Sequence, residues 1–542
     1  MKDLISNTLF DAIQKDDLLI KKSDINISIP KNKNHGDFST NICFILSKKN
    51  QLSPLKIAEK LKTTLLKHDI FEEINIASPG FINFKINAKY LNNKLLDIVT
   101  KDNNFGKNKS GKNKKVLFEF VSANPTGPLT VGHGRGAILG DTLSNIFEWN
   151  GYHVNREYYY NNAGRQMRVL GMSLQSRCME KLNIDSKFPE DGYKGEYINN
   201  IADDLISKFD KKILKNETVE FYKNYAEESI FKNINNTLKK IGIKFDSFFN
   251  ENTLYETKKI YEIIDRLKEK NLIYKKDGAI WFKGKQVGRE SDRVLIKSTG
   301  EPTYRLPDMA YHVNKLERNF DLCIDIFGAD HMDAYPDVLE VVKQLGYNEK
   351  KIKVIIHQFI SIIENNEVVK MSTRKANFIT LDQLAKDVGS DVLRYFFIMR
   401  GINTHLNFDL ELAKEKSDKN PVFYIQYAHA RIIRIQESAN YIKKNLNNIN
   451  LELLNSDLEI KIIAKLLEFE ELISRLTNLL EPQILSTYLF DVSSMFHKYY
   501  AQSKIIQQNK KLSEARLVLI DAIRIVINNG LTILGLSSPN KM

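Results

Sequence analysis

The chain is poor in the residues that would tie it together covalently. Three cysteines, Cys43, Cys178 and Cys323, stand far apart in 542 residues and form no CxxC pair, which excludes a disulfide framework and a zinc site built on thiolates. No apolar stretch reads as long enough to cross a bilayer. The opening MKDLISNTLFDAIQKDD has no apolar h-region and reads as a short amphipathic helix. We find no internal repeat, and no Ser-His-Asp or Cys-His arrangement suggests a side-chain nucleophile. Positive charge is plentiful: 80 Lys and Arg against 67 Asp and Glu leave +13, which suits a polyanionic partner. Lys, Asn and Ile are abundant throughout, so part of this charge serves solubility. A hydrophobic share of 42% is enough for buried cores, and at ordinary domain sizes the chain holds about three to four domains.

The most informative stretch is VLFEFVSANPTGPLTVGHGRGAILG, Val116 to Gly140. Its apolar start predicts a buried parallel strand. A turn-rich segment follows, then Gly132-His133-Gly134, then a helical pattern with Gly151 just past its end. A strand, a Gly/His loop and a helix N-terminus gather free N–H groups and the positive end of the helix dipole, a natural seat for phosphate. A side chain at Gly132 or Gly134 is expected to obstruct a ligand lying against that backbone.

Further strand-like runs, Leu322 to Phe327 and Lys353 to His357, alternate with helical stretches. The expected fold class is α/β: a doubly wound parallel-sheet, Rossmann-like domain, preceded by an N-terminal α/β module and followed by a C-terminal all-α helical bundle. Expected boundaries are residues 1–104, 105–390 with a helical insertion at about 190–280, and 391–542. Lys101 to Lys115, rich in Lys, Asn and Gly, reads as a solvated linker whose charge could also track phosphates.

The loop SANPTGPLTVGHGRGA resembles the signature loop of class I aminoacyl-tRNA synthetases in the form it takes in arginyl-tRNA synthetases. The first signature histidine is Thr130 here and the second is His133. A hydroxyl can bond a phosphate oxygen but carries no charge, so more of the charge stabilisation must come from His133 and from lysines or arginines elsewhere. Val368 to Ala376, VVKMSTRKA, resembles the second phosphate loop of the class, with Lys370, Met371 and Ser372 in place, Thr373 replacing the second lysine and Arg374 following. HGDFSTNICFILSKKN and ASPGFINFKI resemble the family's N-terminal, tRNA-contacting domain. DVLRYFFIMR resembles the motif that opens its helical anticodon-binding domain.

The resemblance implies an arginine–tRNA ligase. Arginine attacks the α-phosphate of ATP to give arginyl-adenylate and pyrophosphate, and a 3′-terminal ribose hydroxyl of tRNA(Arg) then takes the arginyl group. Positioning and electrostatics should supply most of the rate. The implied catalytic residues are Thr130, His133, Lys370 and Arg374, with Lys375 an alternative to Arg374. ATP would lie on Pro128, Gly132, His133, Gly134, Gly328, Met371 and Ser372. Arginine would be held by Glu119, Ser122, Asn124, Tyr304, Asp308 and Asp330. Asp308 is suited to pair with the guanidinium, because a carboxylate matches that planar fork; the other reading of Asp308 is a helix N-cap. Asp330 and His331, in FGADHMDAYP, could contact ribose, the α-amino group or a metal. Mg²⁺ would accompany ATP, held by phosphates and water, and no protein ligand is assigned. Arg165 and Gln166 are placed at the pocket rim. Tyr424, Tyr427 and His429 are either core or platforms for splayed RNA bases. A cytoplasmic monomer with no membrane association is expected.

Three other readings bear on the same residues. A class I synthetase for another amino acid, such as cysteine, would need a thiol cluster that the scattered cysteines do not offer. A small-substrate adenylyl transferase would need neither flanking module. A non-catalytic tRNA-binding descendant is compatible with Thr130 and Thr373 in signature positions.

Overall fold

A computed structural model of the chain describes every residue except 17, 31, 33, 34, 330, 331, 370–378, 444 and 445, with backbone alone at 3 and 447. Near the N-terminus, β1 (Ile27–Ser28), β2 (Phe38–Thr40), β3 (Phe71–Ala77) and β4 (Phe81–Ile86) form an antiparallel sheet in the order β1-β2-β4-β3. Helices cover it. One of them, Pro54–Leu65, starts as Ser-Pro sequences favour: Ser53 caps the N–H of Lys56, and Pro54 occupies a first-turn position that needs no donor.

The central sheet opens with β5 (Lys115–Glu119), followed in the chain by β6 (His153–Tyr160) and β7 (Ser247–Asn250). Three short strands, β8 (Ile273–Lys276), β9 (Ala279–Phe282) and β10 (Arg293–Ile296), build a separate antiparallel sheet before β11 (Leu322–Gly328) and β12 (Ile352–His357) return to the central one. All five central strands are parallel, in the order β12-β11-β5-β6-β7. Alternate residues explain the apolar runs. Val116 and Phe118 enter the core on one face of the sheet, while Leu117 enters the core on the other; Ile324 and Cys323 divide in the same way. The sheet is therefore covered on both faces, and strand order reverses between β5 and β11, where ligands of such sheets bind.

Two expected bounds differ from the structure. The stretch expected as one helical insertion, about 190–280, contains β7, a strand of the central sheet, and the strands β8 and β9. The chain also keeps contributing to the sheeted region past residue 391. β15 (Leu406–Asp409) pairs in parallel with β13 (Ile360–Glu364), which pairs antiparallel with β14 (Glu367–Val368). The helical bundle follows and includes Pro421–Ser438, Gln483–Gln502 and Lys510–Leu534. Contrary to the reading of the sequence, Lys510–Leu534 is apolar and long enough to cross a bilayer, with a mean hydropathy of 1.8 over its apolar window, but 83% of that window is buried inside the bundle. It is the core helix of that domain.

Two buried arginines join these parts. Arg135 donates to the carbonyls of Gln358 (2.7 Å), Thr404 (3.0 Å) and Gly401 (3.0 Å), and burial lowers its pKa to about 10. Arg394, from DVLRYFFIMR, donates to the carbonyls of Leu534 (3.1 Å) and Ile241 (2.9 Å) and to the Asp141 carboxylate (2.6 Å).

Candidate active site

The site is built where β5 ends. Val121 and Ser122 both take left-handed backbone angles (φ 69° and 44°), a strained conformation for two consecutive residues with side chains. The turn brings the Ser122 hydroxyl back to donate to Glu119 Oε1 (2.9 Å), while Ser122 Oγ accepts the N–H of Tyr159 (3.4 Å) from β6. Asn124 Oδ1 accepts the N–H of Asn161 (3.0 Å). Glu119, Ser122 and Asn124 thus share the wall of a cavity of about 880 Å³ with Thr130, Gly132, His133, Tyr304, Asp308 and Gly328.

One end of this cavity is suited to anions. The helix Val131–Trp149 begins there, capped by Thr130. The N–H of Thr130 donates to His133 Nδ1 (3.1 Å), which fixes the neutral ring with its proton on Nε2. Among the described residues, a Cβ on Gly132 would meet only the Thr130 hydroxyl, at 3.6 Å, so this glycine leaves space over the first turn. Gly134 differs from its expectation. It lies outside the cavity wall, and a Cβ there would sit 2.5 Å from Leu381 and 2.8 Å from Phe397; it lacks a side chain because two neighbouring helices press on it. Pro128 lines an adjoining cavity of about 630 Å³ that shares Asn124, Thr130 and His133 with the main one and also includes Gln166. Arg165, at the surface, pairs with Asp191 (2.6 Å).

Lys370, Met371, Ser372, Arg374 and Lys375 lie outside the described residues, as do Asp330 and His331. The chain on either side of 370–378 is anchored at the cavity. Val369 N–H donates to Ile362 O (2.9 Å) on β13, whose first residue, Ile360, lines the cavity. Beyond the gap, Thr380 bridges Thr130, and Leu381 N–H donates to Leu129 O (2.8 Å).

The other end is acidic. The helix Arg305–Glu317 is capped by Tyr304, so Asp308 is not its N-cap; it stands in the first turn and lines the cavity. Glu251, just after β7, lines it too, holding the Tyr159 hydroxyl (2.6 Å) and the Asn161 amide (2.7 Å). Burial raises the pKa of Glu251; the hydrogen bond from Tyr159 works against this, and the charge of Asp308 adds to it. Tyr304 is exposed on the rim, with the Arg305 guanidinium 4.7 Å from its ring centre.

Beneath the wall runs a line of charge. Glu157, Glu119 and Asp325 are register partners on β6, β5 and β11. Arg318 grips Glu157 with both ends of its fork (2.6 and 2.7 Å); Lys315 bonds Glu119 (2.5 Å) and Asp325 (2.7 Å); His312 reaches Asp325 (3.0 Å). Burial would raise the Asp325 carboxyl, but Lys315 and His312 outweigh it and bring its pKa to about 2. Burial raises that of Glu119, and Lys315 offsets this only in part.

Sequence reasoning missed Glu251, Tyr159, His312, Lys315 and Asp325. A usable signal existed for three of them. His312 and Lys315 follow Asp308 at four and seven residues, one face of a helix, and Asp325 interrupts the apolar run LCIDIF. Glu251 and Tyr159 meet only because β7 pairs with β6 across an intervening helical stretch.

In the bundle, His429 is core: it is buried, its Nδ1 lies 3.1 Å from Pro539 O, and burial lowers its pKa. Tyr424 packs on Phe490 and His497. Tyr427 is exposed, and the Arg431 guanidinium lies over its ring (4.4 Å) and over that of Tyr500 (4.7 Å).

Comparison with known proteins divides the chain into three matches. Residues 1–86 match the arginyl tRNA synthetase N terminal domain, 94–393 the catalytic domain of tRNA synthetases class I (R), and 425–542 the DALR anticodon binding domain. The chain is 44% identical over 520 residues to the arginine–tRNA ligase of Desulfotalea psychrophila, covering 95% of this chain and 94% of that one. Among solved structures, a putative arginyl-tRNA synthetase from Campylobacter jejuni superposes with a TM-score of 0.79 at 33% identity, covering 84% of this chain and 100% of that one. The arginyl-tRNA synthetase of Thermus thermophilus shares the fold over 100% of both chains, with a TM-score of 0.77 at 18% identity.

Proposed function

The chain belongs to the arginyl-tRNA synthetase family, and on that premise we propose how its residues share the attachment of arginine to tRNA(Arg). The guanidinium of arginine lies between Asp308 and Glu251, with Tyr304 closing over it. The α-amino end meets Glu119, Ser122 and Asn124. ATP lies over the first turn of the Val131–Trp149 helix, its phosphates facing Thr130, the N–H groups beside Gly132, and His133, and its adenosine toward Gly328. Lys370 and Arg374 or Lys375 come to the phosphates from the segment that leaves β14 and rejoins at Thr380, with Met371, Ser372 and Asp330 beside the ligands.

The observation that carries this reading is the pair Asp308 and Glu251. The charge of Asp308 helps raise the proton affinity of Glu251 across a partly buried wall, an unfavourable arrangement of two carboxylates until a cation lies between them. A guanidinium supplies that charge in a plane that two carboxylates can share. With arginine held there, its carboxylate points toward the helix N-terminus, where the α-phosphate would lie. His133 Nε2–H and the first-turn N–H groups face the charge that grows on phosphate oxygens, already oriented by the Thr130–His133 bond. No side chain need become a nucleophile.

Magnesium would enter with the triphosphate and be held by its oxygens and water. Among the described residues, no three His, Cys, Asp or Glu gather closely enough to hold it by themselves. Exposed Tyr427, with Arg431 and Tyr500, offers bases of single-stranded RNA a stacking surface on the helical domain. On the same reading the enzyme works as a monomer in the cytoplasm, a compartment suited to three buried, unpaired thiols.

The test is Asp308→Asn in arginine-dependent ATP–pyrophosphate exchange with tRNA present. Losing one partly buried charge partner should cost about 3 kcal/mol, roughly a hundredfold rise in the KM for arginine, while the KM for ATP stays within about twofold. An arginine KM that does not move removes the guanidinium site from this wall.

A further inference from the structure

We infer that His312 is a positioning residue that carries a positive charge, and that this charge holds Glu119 and Asp308 in place for arginine. The inference rests on the arginine site proposed above.

Hydrogen-bond chemistry gives the first argument. His312 Nδ1 faces the carbonyl oxygen of Asp308 (2.8 Å), and Nε2 faces a carboxylate oxygen of Asp325 (3.0 Å). Both partners are acceptors, so a neutral ring, which has one donor and one acceptor, would set a lone pair against an oxygen at one end. Only the imidazolium donates at both.

Charge balance gives the second, independently. Glu157, Glu119 and Asp325 stand side by side on three neighbouring strands, all buried. Against this row stand the side chains of 312, 315 and 318, one from each successive turn of the Arg305–Glu317 helix and its cap. Lys315 and Arg318 supply two positive charges for three negative ones, and a buried carboxylate left uncompensated is strongly unfavourable. A charged His312 completes the balance.

The groups facing His312 are Asp325 on β11 and Asp308 and Lys315 on its own helix, with Glu119 on β5 reached through Lys315. Burial and Lys315 disfavour the charged ring, but the two aspartates outweigh them and raise its pKa above the ordinary 6.5. Because the folded value is raised, the stabilisation is complete below pH 6.5 and is lost as pH rises through the folded value. Above it, the row gains a net negative charge and the bond at one end of the ring fails. Asp308 Oδ1, 3.7 Å from Nδ1, then loses the cation that orients it, and Glu119 shares Lys315 with a less compensated Asp325.

The experiment uses the full-length chain labelled with ¹⁵N-histidine, and 5-guanidinovalerate as a competitive inhibitor against arginine. This compound has no α-amino group, and its guanidinium keeps its charge to above about pH 12, so it does not titrate in the range used. His312→Gln identifies the His312 ring signals by their loss. At pH 7 both ring nitrogens of His312 should resonate as protonated. The Ki should rise about tenfold as this ring titrates, the linkage expected for one pKa unit of coupling, while His312→Gln shows a Ki independent of pH and an ATP KM like the parent's. His312→Asn replaces the glutamine variant should that one not fold. A ring with one unprotonated nitrogen at pH 7, or inhibition profiles that coincide in parent and variant, would overturn the inference. If those profiles coincide while Asp308→Asn still raises the arginine KM, the charged-histidine link falls and the arginine site stands.

Discussion

Lys315 and Arg394 are both fully buried cations, yet they do opposite things with their donors. Arg394 spreads its guanidinium over three distant stretches: the end of the last helix at Leu534, the end of the Val219–Lys240 helix at Ile241, and Asp141 on the helix that follows the signature loop. Two of its three partners are backbone carbonyls, whose positions are set by the fold. Lys315 spends its ammonium on two neighbouring carboxylates, one of which, Glu119, also reaches the cavity through Ser122. A buried cation that bonds carbonyls fastens segments together; one that bonds carboxylates sets the charge and aim of side chains that a ligand meets. Geometry separates these roles where sequence does not, since each residue is a basic side chain inside a helical pattern.

Lys315→Met should have the largest effect, because it leaves Glu119 and Asp325 adjacent and buried with the cation they share removed, and only Ser122 and His312 to meet them. Stability should fall by about 3–5 kcal/mol in urea unfolding, and the arginine KM of the folded fraction should rise at least roughly tenfold. Arg394→Met should approach the same loss of stability, about 3 kcal/mol, since Asp141 keeps a second, longer contact with Arg156 (3.6 Å); its arginine KM should stay at the parent value. If Arg394→Met raised that KM as much as Lys315→Met, the two clusters would not differ in kind. Gly535→Ala sharpens the comparison at smaller scale. Gly535 has φ 71°, and a Cβ there would lie 2.1 Å from Arg394 Nη2, so the alanine should lower stability by about 1–3 kcal/mol with kinetics intact.

Much of the architecture could be read from the chain because its signals are local. Val116, Leu117 and Phe118 are apolar in succession and lie in β5, covered on two faces; Leu322, Cys323 and Ile324 do the same in β11. Long periodic segments with few breakers become the terminal bundle. Pairings across long gaps in the chain could not be read. β7 is four residues in a helix-rich region and has meaning only beside β6, and β15 finds β13 beyond the expected domain border. The site divides similarly. Glu119, Ser122, Asn124, Thr130 and His133 sit on one strand–turn–helix unit, and Asp308 follows Tyr304 at one helical turn, so their company is local. Glu251 needs the β6–β7 pairing to arrive. Gly134 shows the limit of motif reading from the other side: its neighbours along the chain suggest a ligand, whereas its neighbours in space are Leu381 and Phe397.

The left-handed pair Val121 and Ser122 carries a lesson for anyone trying to make this enzyme hardier. Glycine would relax both positions, and a search guided by heat resistance alone would favour it by about 1 kcal/mol or more at each. Each glycine would also delete something: the isopropyl group packed against the core at 121, or the hydroxyl that aims Glu119 at 122. The tension in that bend is the means by which a rigid sheet presents soft, aimed chemistry at its edge, and a more robust variant relaxed there should be a poorer judge of its amino acid.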